Sequence, residues 1–320
     1  ACTAAPAAVP TATPEPLASV KITTAPGSPN DQPVWVAVES GLMRNSGLNL
    51  EFVSAPANQG IASLVSGNTE IASTGGAEAL GGLAGGADLV IVVNLVPVIP
   101  WQFYAGPAVQ SPADLRGKKI GITTAGASYD TALRLVLPKF GLNPDTDVTL
   151  ITTGSIPNVS AALFSGAIDG APLVVTPASF KVVEQGGFHE VFDFAKEAGA
   201  YPGAVTVVRR DFLTQHRDVV QKYVDAVVQG IVRFKTDRPY AIQVAKKFLD
   251  EPDETLVTRT YDYFANSVTP SQPYPKPEQF TEVLASLAER NEKARGIDLN
   301  RALDQSFVQS AIQRGLDQKK

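Results

Sequence analysis

Cysteine is almost absent from this 320-residue chain, whose only cysteine is Cys2, and there are only two histidines. An internal disulfide needs two cysteines and a cysteine-based metal cluster needs several, so both are excluded. His189 and His216 share no apparent partner, and we expect structural or surface roles for them. No glycine pattern of a phosphate-binding or dinucleotide-binding loop follows a predicted strand. We therefore expect no metal, no cofactor and no catalytic residues.

A strong charge of either sign is also lacking. The chain has 27 basic and 32 acidic residues, for a net charge of −5, so it carries no basic footprint for nucleic acid. The longest stretch without a charge lies between Asp88 and Asp114, and Pro97, Pro100 and Pro107 interrupt it. A membrane helix over this stretch is therefore not expected.

The first residues contain little besides alanine, threonine and proline. Such a segment buries too little apolar surface to offset the entropy of ordering, which predicts a flexible spacer over residues 1–17. A small residue followed by Cys2 and a spacer resembles a bacterial lipoprotein after signal-peptide cleavage. The resemblance implies an extracytoplasmic protein anchored to the membrane by a lipid on Cys2, and the alternative is an incidental thiol.

What the chain does contain is an internal repeat. Residues 122–128 read ITTAGAS, and residues 22–28, one hundred positions earlier, read ITTAPGS. The match continues, because residues 161–166 (AALFSG) echo residues 62–67 (ASLVSG). A long repeat with the same order of strand-like and helix-like pieces predicts two similar lobes. A solenoid would need at least three short units.

Strand-like and helix-like segments alternate in both halves, beginning with a strand over residues 20–24 and a helix over residues 33–41. This alternation predicts an α/β fold with two mostly parallel sheets and helices on both faces. Chain crossings near Ala105 and Ala204 would form a hinge, with the ligand in the cleft between the lobes. The expected boundaries are residues 1–17 for the spacer, 18–104 and 205–320 for lobe 1, and 105–204 for lobe 2.

Three segments resemble a known family. Residues 33–43 read PVWVAVESGLM, residues 111–122 read SPADLRGKKIGI, and residues 141–144 read GLNP. Together they resemble periplasmic substrate-binding proteins of ABC importers, in the branch for alkanesulfonates, taurine, nitrate and pyrimidine precursors of thiamine (NMT1/THI5-like). The resemblance implies a two-lobed, type II-like periplasmic-binding-protein fold, a small-molecule ligand and an ABC permease as partner.

One departure from the family pattern argues against an enzymatic function. A pyrimidine-forming relative uses a cysteine-rich iron motif, and this motif is absent here. We expect a monomeric binding protein that is not an enzyme and does not bind nucleic acid. Two other classes stay open: a pyrimidine-related enzyme on the same scaffold, and the sensory domain of a receptor.

Ligand contacts are expected from loops at the carboxyl ends of the predicted strands, where helix starts present free N–H groups. These loops contain no Lys or Arg but several aromatic and amide side chains, which can stack on a heterocycle and read its edge. Ser28 and Ser128 occupy corresponding repeat positions and are expected to face each other. The predicted binding residues are Ser28, Asn30, Asp31, Trp35, Asn58, Gln59, Thr74, Gly75, Asn94, Trp101, Tyr104, Thr124, Ser128, Tyr129, Asn158, Thr176 and Tyr201.

The preferred ligand is an aromatic heterocycle, such as a thiamine-precursor pyrimidine or a riboflavin-like vitamin, and the alternative is an alkanesulfonate, taurine or nitrate. Some of the residues have a second interpretation. Trp35 could pack within lobe 1, and Trp101 and Tyr104 could cover the hinge. Asp31 and Asp130 are expected to cap helices rather than to form an acid–base pair.

Overall fold

The computed structural model describes residues 17–55, 57–185 and 187–319, and it contains two five-stranded sheets, one in each lobe. The strands of lobe 1 are β1 (Ala18–Thr24), β2 (Leu48–Ser54), β3 (Ile71–Thr74), β4 (Leu89–Val96) and β10 (Ala204–Arg209). Those of lobe 2 are β5 (Trp101–Ala105), β6 (Lys119–Ile122), β7 (Thr149–Thr152), β8 (Gly170–Val174) and β9 (His189–Asp193).

Helices surround both sheets. The first eight are α1 (Gln32–Glu39), α2 (Leu42–Asn45), α3 (Ala57–Val65), α4 (Gly76–Ala84), α5 (Ser128–Val136), α6 (Ile156–Phe164), α7 (Pro177–Glu184) and α8 (Phe194–Glu197). The others are α9 (Arg210–Gln215), α10 (Arg217–Thr236), α11 (Arg238–Leu249), α12 (Glu254–Tyr263), α13 (Thr281–Arg290), α14 (Leu299–Ala302) and α15 (Ser306–Gln313). Within the described ranges, none of the helices has the length and apolar character of a membrane-spanning segment.

The two sheets have the same order of strands. The order is β2-β1-β3-β10-β4 in lobe 1 and β7-β6-β8-β5-β9 in lobe 2. In each sheet only the fourth strand, β10 or β5, runs antiparallel to its neighbours. That strand enters from the other lobe after a chain crossing. The predicted two-lobed α/β fold with mostly parallel sheets is confirmed.

One crossing differs from the expected position. Residues 101–105 already form β5, which pairs with β8 and β9 in the second sheet, so the first crossing lies at residues 97–100 rather than near Ala105. The apolar run around β4 and β5 is almost continuous in sequence, which hides the change of sheet. The second crossing, at residues 198–203, leads into β10 in the first sheet, as expected.

The strands and helices follow the apolar pattern of the sequence. All eight residues of β4 are buried, as in a strand covered on both faces. The long helix α10 packs closely against α1, where a Cβ on Gly230 would lie 2.4 Å from the Pro33 carbonyl oxygen. Glycine at this position therefore permits the close approach of the two helices.

The C-terminal helices connect the lobes from outside the hinge. Arg259 of α12 pairs with Glu184 of lobe 2 at 2.7 Å, and the Tyr263 hydroxyl donates to Asp193 Oδ1 at 3.0 Å. Helix α13 packs against α4 of lobe 1 and reaches α5 of lobe 2. The lobes are therefore joined by more than the two crossings.

Candidate functional site

The two lobes meet where the starts of helices α4 and α5 face each other. Each helix follows a parallel strand, β3 or β6, so both starts lie at the carboxyl edge of a sheet. Ser128 Oγ of α5 donates a hydrogen bond to Glu78 Oε1 in the first turn of α4, at 2.5 Å. We call Gly75, Glu78, Ser128 and Tyr201 the interlobe junction.

The Glu78 carboxylate folds back over the start of its own helix. A Cβ on Gly75 would lie 2.2 Å from Glu78 Oε2 and 3.5 Å from Ser128 Oγ, so glycine leaves room for this arrangement. Glu78 Oε1 accepts from Ser128, whereas Oε2 is buried and has no hydrogen-bond donor. A buried polar group without a partner costs about 1–3 kcal/mol. The junction therefore contains an unused acceptor.

Tyr201 lies beside Glu78 on the segment that returns from lobe 2. The residue is 2% exposed, and its hydroxyl is buried without a hydrogen-bond partner. Burial, and secondarily the nearby Glu78 charge, raises the pKa of Tyr201 above its ordinary value, so the hydroxyl remains a donor. Tyr201 N donates to Pro97 O at 3.0 Å, and Gly76 N donates to Pro202 O at 2.7 Å. The first bond joins the two crossings, and the second holds the segment after Tyr201 against the start of α4.

Two buried aromatic rings lie next to Ser128 in lobe 2. Tyr129 follows Ser128 in α5 and meets Trp101 edge to face, with ring centroids 4.6 Å apart. Trp101 also contacts Phe194 at 6.1 Å. Tyr129 and Trp101 are 3% and 8% exposed, so the structure brings these two predicted residues together as part of the lobe 2 core.

The loop before α5 is held by a buried carboxylate. Asp130 accepts hydrogen bonds from Gly126 N at 2.6 Å, Arg134 Nε at 2.7 Å and Arg290 Nη1 at 2.8 Å. Its side chain is 1% exposed. Arg290 ends α13, which packs on lobe 1, so this ion pair is a further direct contact between the lobes. Asp130 does not cap α5, whose N-cap position is Ala127.

A second buried carboxylate lies in lobe 1. Asp31 occupies the N-cap position of α1, but its side chain makes no capping hydrogen bond, contrary to expectation. It is 3% exposed and accepts from Ser73 Oγ at 2.6 Å. Burial raises the pKa of Asp31 to about 6, although the Ser73 hydrogen bond acts in the opposite direction. The side-chain amide oxygen of the neighbouring Asn30 is also buried and accepts no hydrogen bond.

Sequence reasoning missed Glu78 and Arg290. Glu78 is the residue that Ser128 meets across the gap, whereas Ser28 precedes a 3₁₀ turn and makes no capping hydrogen bond. The available signal for Glu78 was an acidic residue in the first turn of a helix that follows a strand. Arg290 lies 160 residues from Asp130 and outside every strand-end loop, so the sequence carried no local signal for it.

Three predicted residues are packed within the lobes. Trp35 stacks on Phe248 with ring centroids 5.0 Å apart and planes 7° apart. Asn94 is fully buried in β4, and its side-chain amide lies 3.0 Å from Gln279 Oε1. Tyr104 is 2% exposed within β5. These contacts pack or support the lobes.

Two other predicted residues lie at helix starts of lobe 2. Asn158 Nδ2 donates to the Thr153 carbonyl oxygen at 2.9 Å, close to the start of α6. Thr176 precedes α7, and its Oγ1 accepts from Ser179 N at 3.3 Å. Both side chains therefore stabilise local turns at the carboxyl edge of the second sheet.

The remaining predicted residues differ in exposure. Thr74, at the end of β3, is buried, whereas Gln59 and Thr124 are exposed. The Asn58 side chain and Cys2 lie outside the part of the chain that the structure describes. In that described part, no group of three or more His, Cys, Asp and Glu side chains is arranged to hold a metal ion.

Solved structures with a similar fold include solute-binding proteins. The alkanesulfonate-binding protein SsuA from Xanthomonas axonopodis pv. citri, bound to MOPS, is 22% identical, with a TM-score of 0.72 over 91% of this chain and 100% of that one. The periplasmic aliphatic sulphonate binding protein SsuA from Escherichia coli is 19% identical, with a TM-score of 0.74 over 91% and 99%. The periplasmic nitrate-binding protein NrtA from Synechocystis PCC 6803 is 15% identical, with a TM-score of 0.73 over 93% and 89%. At these identities the likeness concerns the fold.

The family is shown by sequence comparison. No curated protein matches the sequence. The family model described as NMT1/THI5 like matches residues 28–239, which is more than half of the chain. The resemblance seen in the sequence motifs is confirmed, and the chain belongs to the NMT1/THI5-like family.

Proposed function

We propose that this chain is an extracytoplasmic solute-binding protein that captures a small organic molecule between its lobes and delivers it to an ABC importer. The family and the sulfonate-binding and nitrate-binding proteins of similar fold support this function. The observation that carries the proposal is the interlobe junction. There Glu78 Oε2 and the Tyr201 hydroxyl are buried without partners at the meeting point of two hinged lobes.

Capture follows from hinge closure. The crossings at residues 97–100 and 198–203 lie side by side, because Tyr201 N donates to Pro97 O. Opening the hinge would separate Ser128 from Glu78 and Arg290 from Asp130. A ligand that contacts both lobes adds to these bonds only in the closed state, and it therefore shifts the population toward closure. Capture, closure and release to a permease need no covalent step, so the proposal is a non-enzymatic function.

The ligand that we propose is an aromatic heterocycle, such as a thiamine-precursor pyrimidine or a riboflavin-like vitamin. Tyr201 and the paired rings of Trp101 and Tyr129 lie at or next to the junction. Planar rings of this kind stack on a planar ligand, with about 0.5–1.5 kcal/mol per pair beyond area burial. The similar sulfonate-binding and nitrate-binding proteins support the alternative, a small anion.

A thermal-shift panel tests the function and the ligand. The probes are 4-amino-5-hydroxymethyl-2-methylpyrimidine, riboflavin, taurine, ethanesulfonate and nitrate. A ligand at a hundred times its Kd stabilises the fold by about 2.7 kcal/mol, so a heterocycle is expected to raise the Tm. If only taurine, ethanesulfonate or nitrate raises the Tm, the ligand is a small anion and the heterocycle hypothesis is wrong. Recovery of a chemically altered ligand by mass spectrometry would contradict the non-enzymatic function.

The membrane location is a separate part of the proposal. We propose a monomer anchored by a lipid on Cys2, supported by the lipoprotein-like sequence around that residue. Mass spectrometry of the N-terminal peptide from protein isolated from its native membrane is expected to show a lipidated Cys2. A free thiol in that peptide would rule out the anchor without affecting the ligand hypothesis.

A further inference from the structure

We infer that Glu78 and Tyr201 together read one edge of the ligand, an edge that carries an N–H donor beside an acceptor atom. Ligands that offer acceptors only would be rejected. The inference rests on the proposed function, because it requires a small molecule at the interlobe junction. It names the hydrogen-bonding class of the ligand and the two side chains that select it.

Two buried hydrogen-bonding groups without partners occur together at the interlobe junction. Glu78 Oε2 is an acceptor and the Tyr201 hydroxyl is a donor, both are buried, and they are not hydrogen-bonded to each other. Gly76 N, at the start of the helix that carries Glu78, donates to Pro202 O at 2.7 Å, so Glu78 and Tyr201 lie on adjoining segments. A ligand edge with a donor next to an acceptor satisfies both groups at once. Amides and amino-substituted azine rings have such an edge.

The charges around the junction disfavour an anionic ligand. The guanidinium groups of Arg290 and Arg134 reach the first turn of α5, but both donate to Asp130 there. Glu78 accepts from the neutral Ser128 hydroxyl, and no salt bridge to Glu78 occurs in the described part of the chain. A sulfonate or nitrate has only acceptor oxygens, so it would place a negative charge and a lone pair against Glu78 Oε2. The junction therefore penalises such anions.

The segments that carry Glu78 and Tyr201 are packed firmly against each other. A Cβ on Gly76 would lie 2.3 Å from Pro202 Cβ, so the start of α4 packs directly against the segment after Tyr201. Gly76 N donates to Pro202 O across this contact, and Tyr201 N donates to Pro97 O in the first crossing. The donor and the acceptor are thus held in place before a ligand arrives, which lowers the entropic cost of binding.

The experiment compares three planar probes of similar size by NMR titration. Benzamide has a donor beside an acceptor, acetophenone replaces its amino group with a methyl group, and benzenesulfonate has acceptors only. Benzamide is expected to bind wild type at least about tenfold more tightly than the other two, because a hydrogen bond to a charged group is strong. Equal affinities for benzamide and acetophenone would overturn the inference.

Glu78→Gln tests the acceptor. Its amide can still accept from Ser128, but an N–H₂ group takes the place of Oε2. Benzamide is expected to lose about tenfold in affinity, while acetophenone and benzenesulfonate bind more tightly than to wild type. A preference for benzamide that is unchanged in this variant would remove Glu78 from the recognition of the ligand.

Tyr201→Phe tests the donor, with Tyr223→Phe as the matched control. Tyr223 is equally buried, on α10 of lobe 1. Tyr201→Phe is expected to weaken benzamide about fivefold with the Tm unchanged, because the removed hydroxyl has no bond in the protein. Tyr223→Phe is expected to leave benzamide binding unchanged. A fall in Tm with unchanged affinity for Tyr201→Phe would assign this hydroxyl a structural role.

The two levels of the proposal fail in different ways. If no heterocycle, no anion and none of the three probes binds wild type, the solute-binding function itself is wrong. If a heterocycle binds but its affinity is the same for wild type, Glu78→Gln and Tyr201→Phe, the function stands and the inference is wrong.

Discussion

The two lobes share one sheet order, yet each stabilises a buried aspartate near the cleft in a different way. In lobe 1, Asp31 receives a hydrogen bond from Ser73, and burial raises its pKa to about 6. In lobe 2, Asp130 is equally buried but receives two arginines and a backbone N–H. The internal repeat therefore gives the two lobes the same backbone arrangement. The charged partners of the buried aspartate differ between the lobes.

Part of this difference comes from the C-terminal helix α13. Helix α13 lies on lobe 1 but sends Arg290 to Asp130 of lobe 2. Glu78 of lobe 1 is left with one unused oxygen at the same junction. The packing of distant segments therefore decides which carboxylates are paired with arginine. Asp130 of lobe 2 is paired, whereas Glu78 of lobe 1 keeps an oxygen without a hydrogen-bond donor.

The largest expected difference between the lobes concerns Asp130. Asp130→Asn removes the charge that two arginines share, and breaking a buried ion pair costs about 3–5 kcal/mol of unfolding free energy. Asp145→Asn is the control, because Asp145 also pairs with Arg134 but its side chain is 67% exposed. That control is expected to cost under about 1 kcal/mol in urea denaturation. Equal losses for the two variants would show that burial of Asp130 is not what matters.

The pH dependence of stability should come from Asp31 in lobe 1. Its pKa is raised from 3.8 to about 6, so the folded state binds this proton more tightly than the unfolded chain does. The fold therefore loses stability as the pH rises through this window, by about 3 kcal/mol in total. Asp31→Asn cannot titrate, so wild type should lose most of this amount relative to the variant between pH 4 and pH 8. A difference between the two proteins that stays constant with pH would contradict the raised pKa.

The smallest expected effect compares the repeat-equivalent serines. Ser128→Ala removes the bond to Glu78 across the lobes and should lower the unfolding free energy by about 1 kcal/mol. Ser28→Ala should change it by less than about 0.5 kcal/mol, since that side chain makes no capping hydrogen bond. Small-angle scattering is expected to show a larger radius of gyration for Ser128→Ala alone. Identical scattering profiles for the two variants would show that the Ser128 hydrogen bond does not hold the lobes together.

Much of the fold could be predicted because it depends on local patterns. The alternation of strand-like and helix-like segments located β1, β6 and β10, and the apolar 3.6-residue period located α10. The first crossing was placed too late, because an apolar run looks the same whether it continues one sheet or enters another. The site was harder: Tyr201 and Ser128 were predicted residues and lie at the junction, but Glu78 and Arg290 were missed.

The sequence by itself determined the two lobes, the family and the helix starts at the cleft. These features depend on the periodicity of hydrophobic residues, which is a property of residues that are neighbours in the chain. Only the tertiary structure decided which charges are paired. Arg290 meets Asp130 through the packing of α13, whereas Glu78 meets Ser128 and keeps one oxygen free. Such pairing depends on distances through space and on the removal of water, and neither quantity is written in the order of residues.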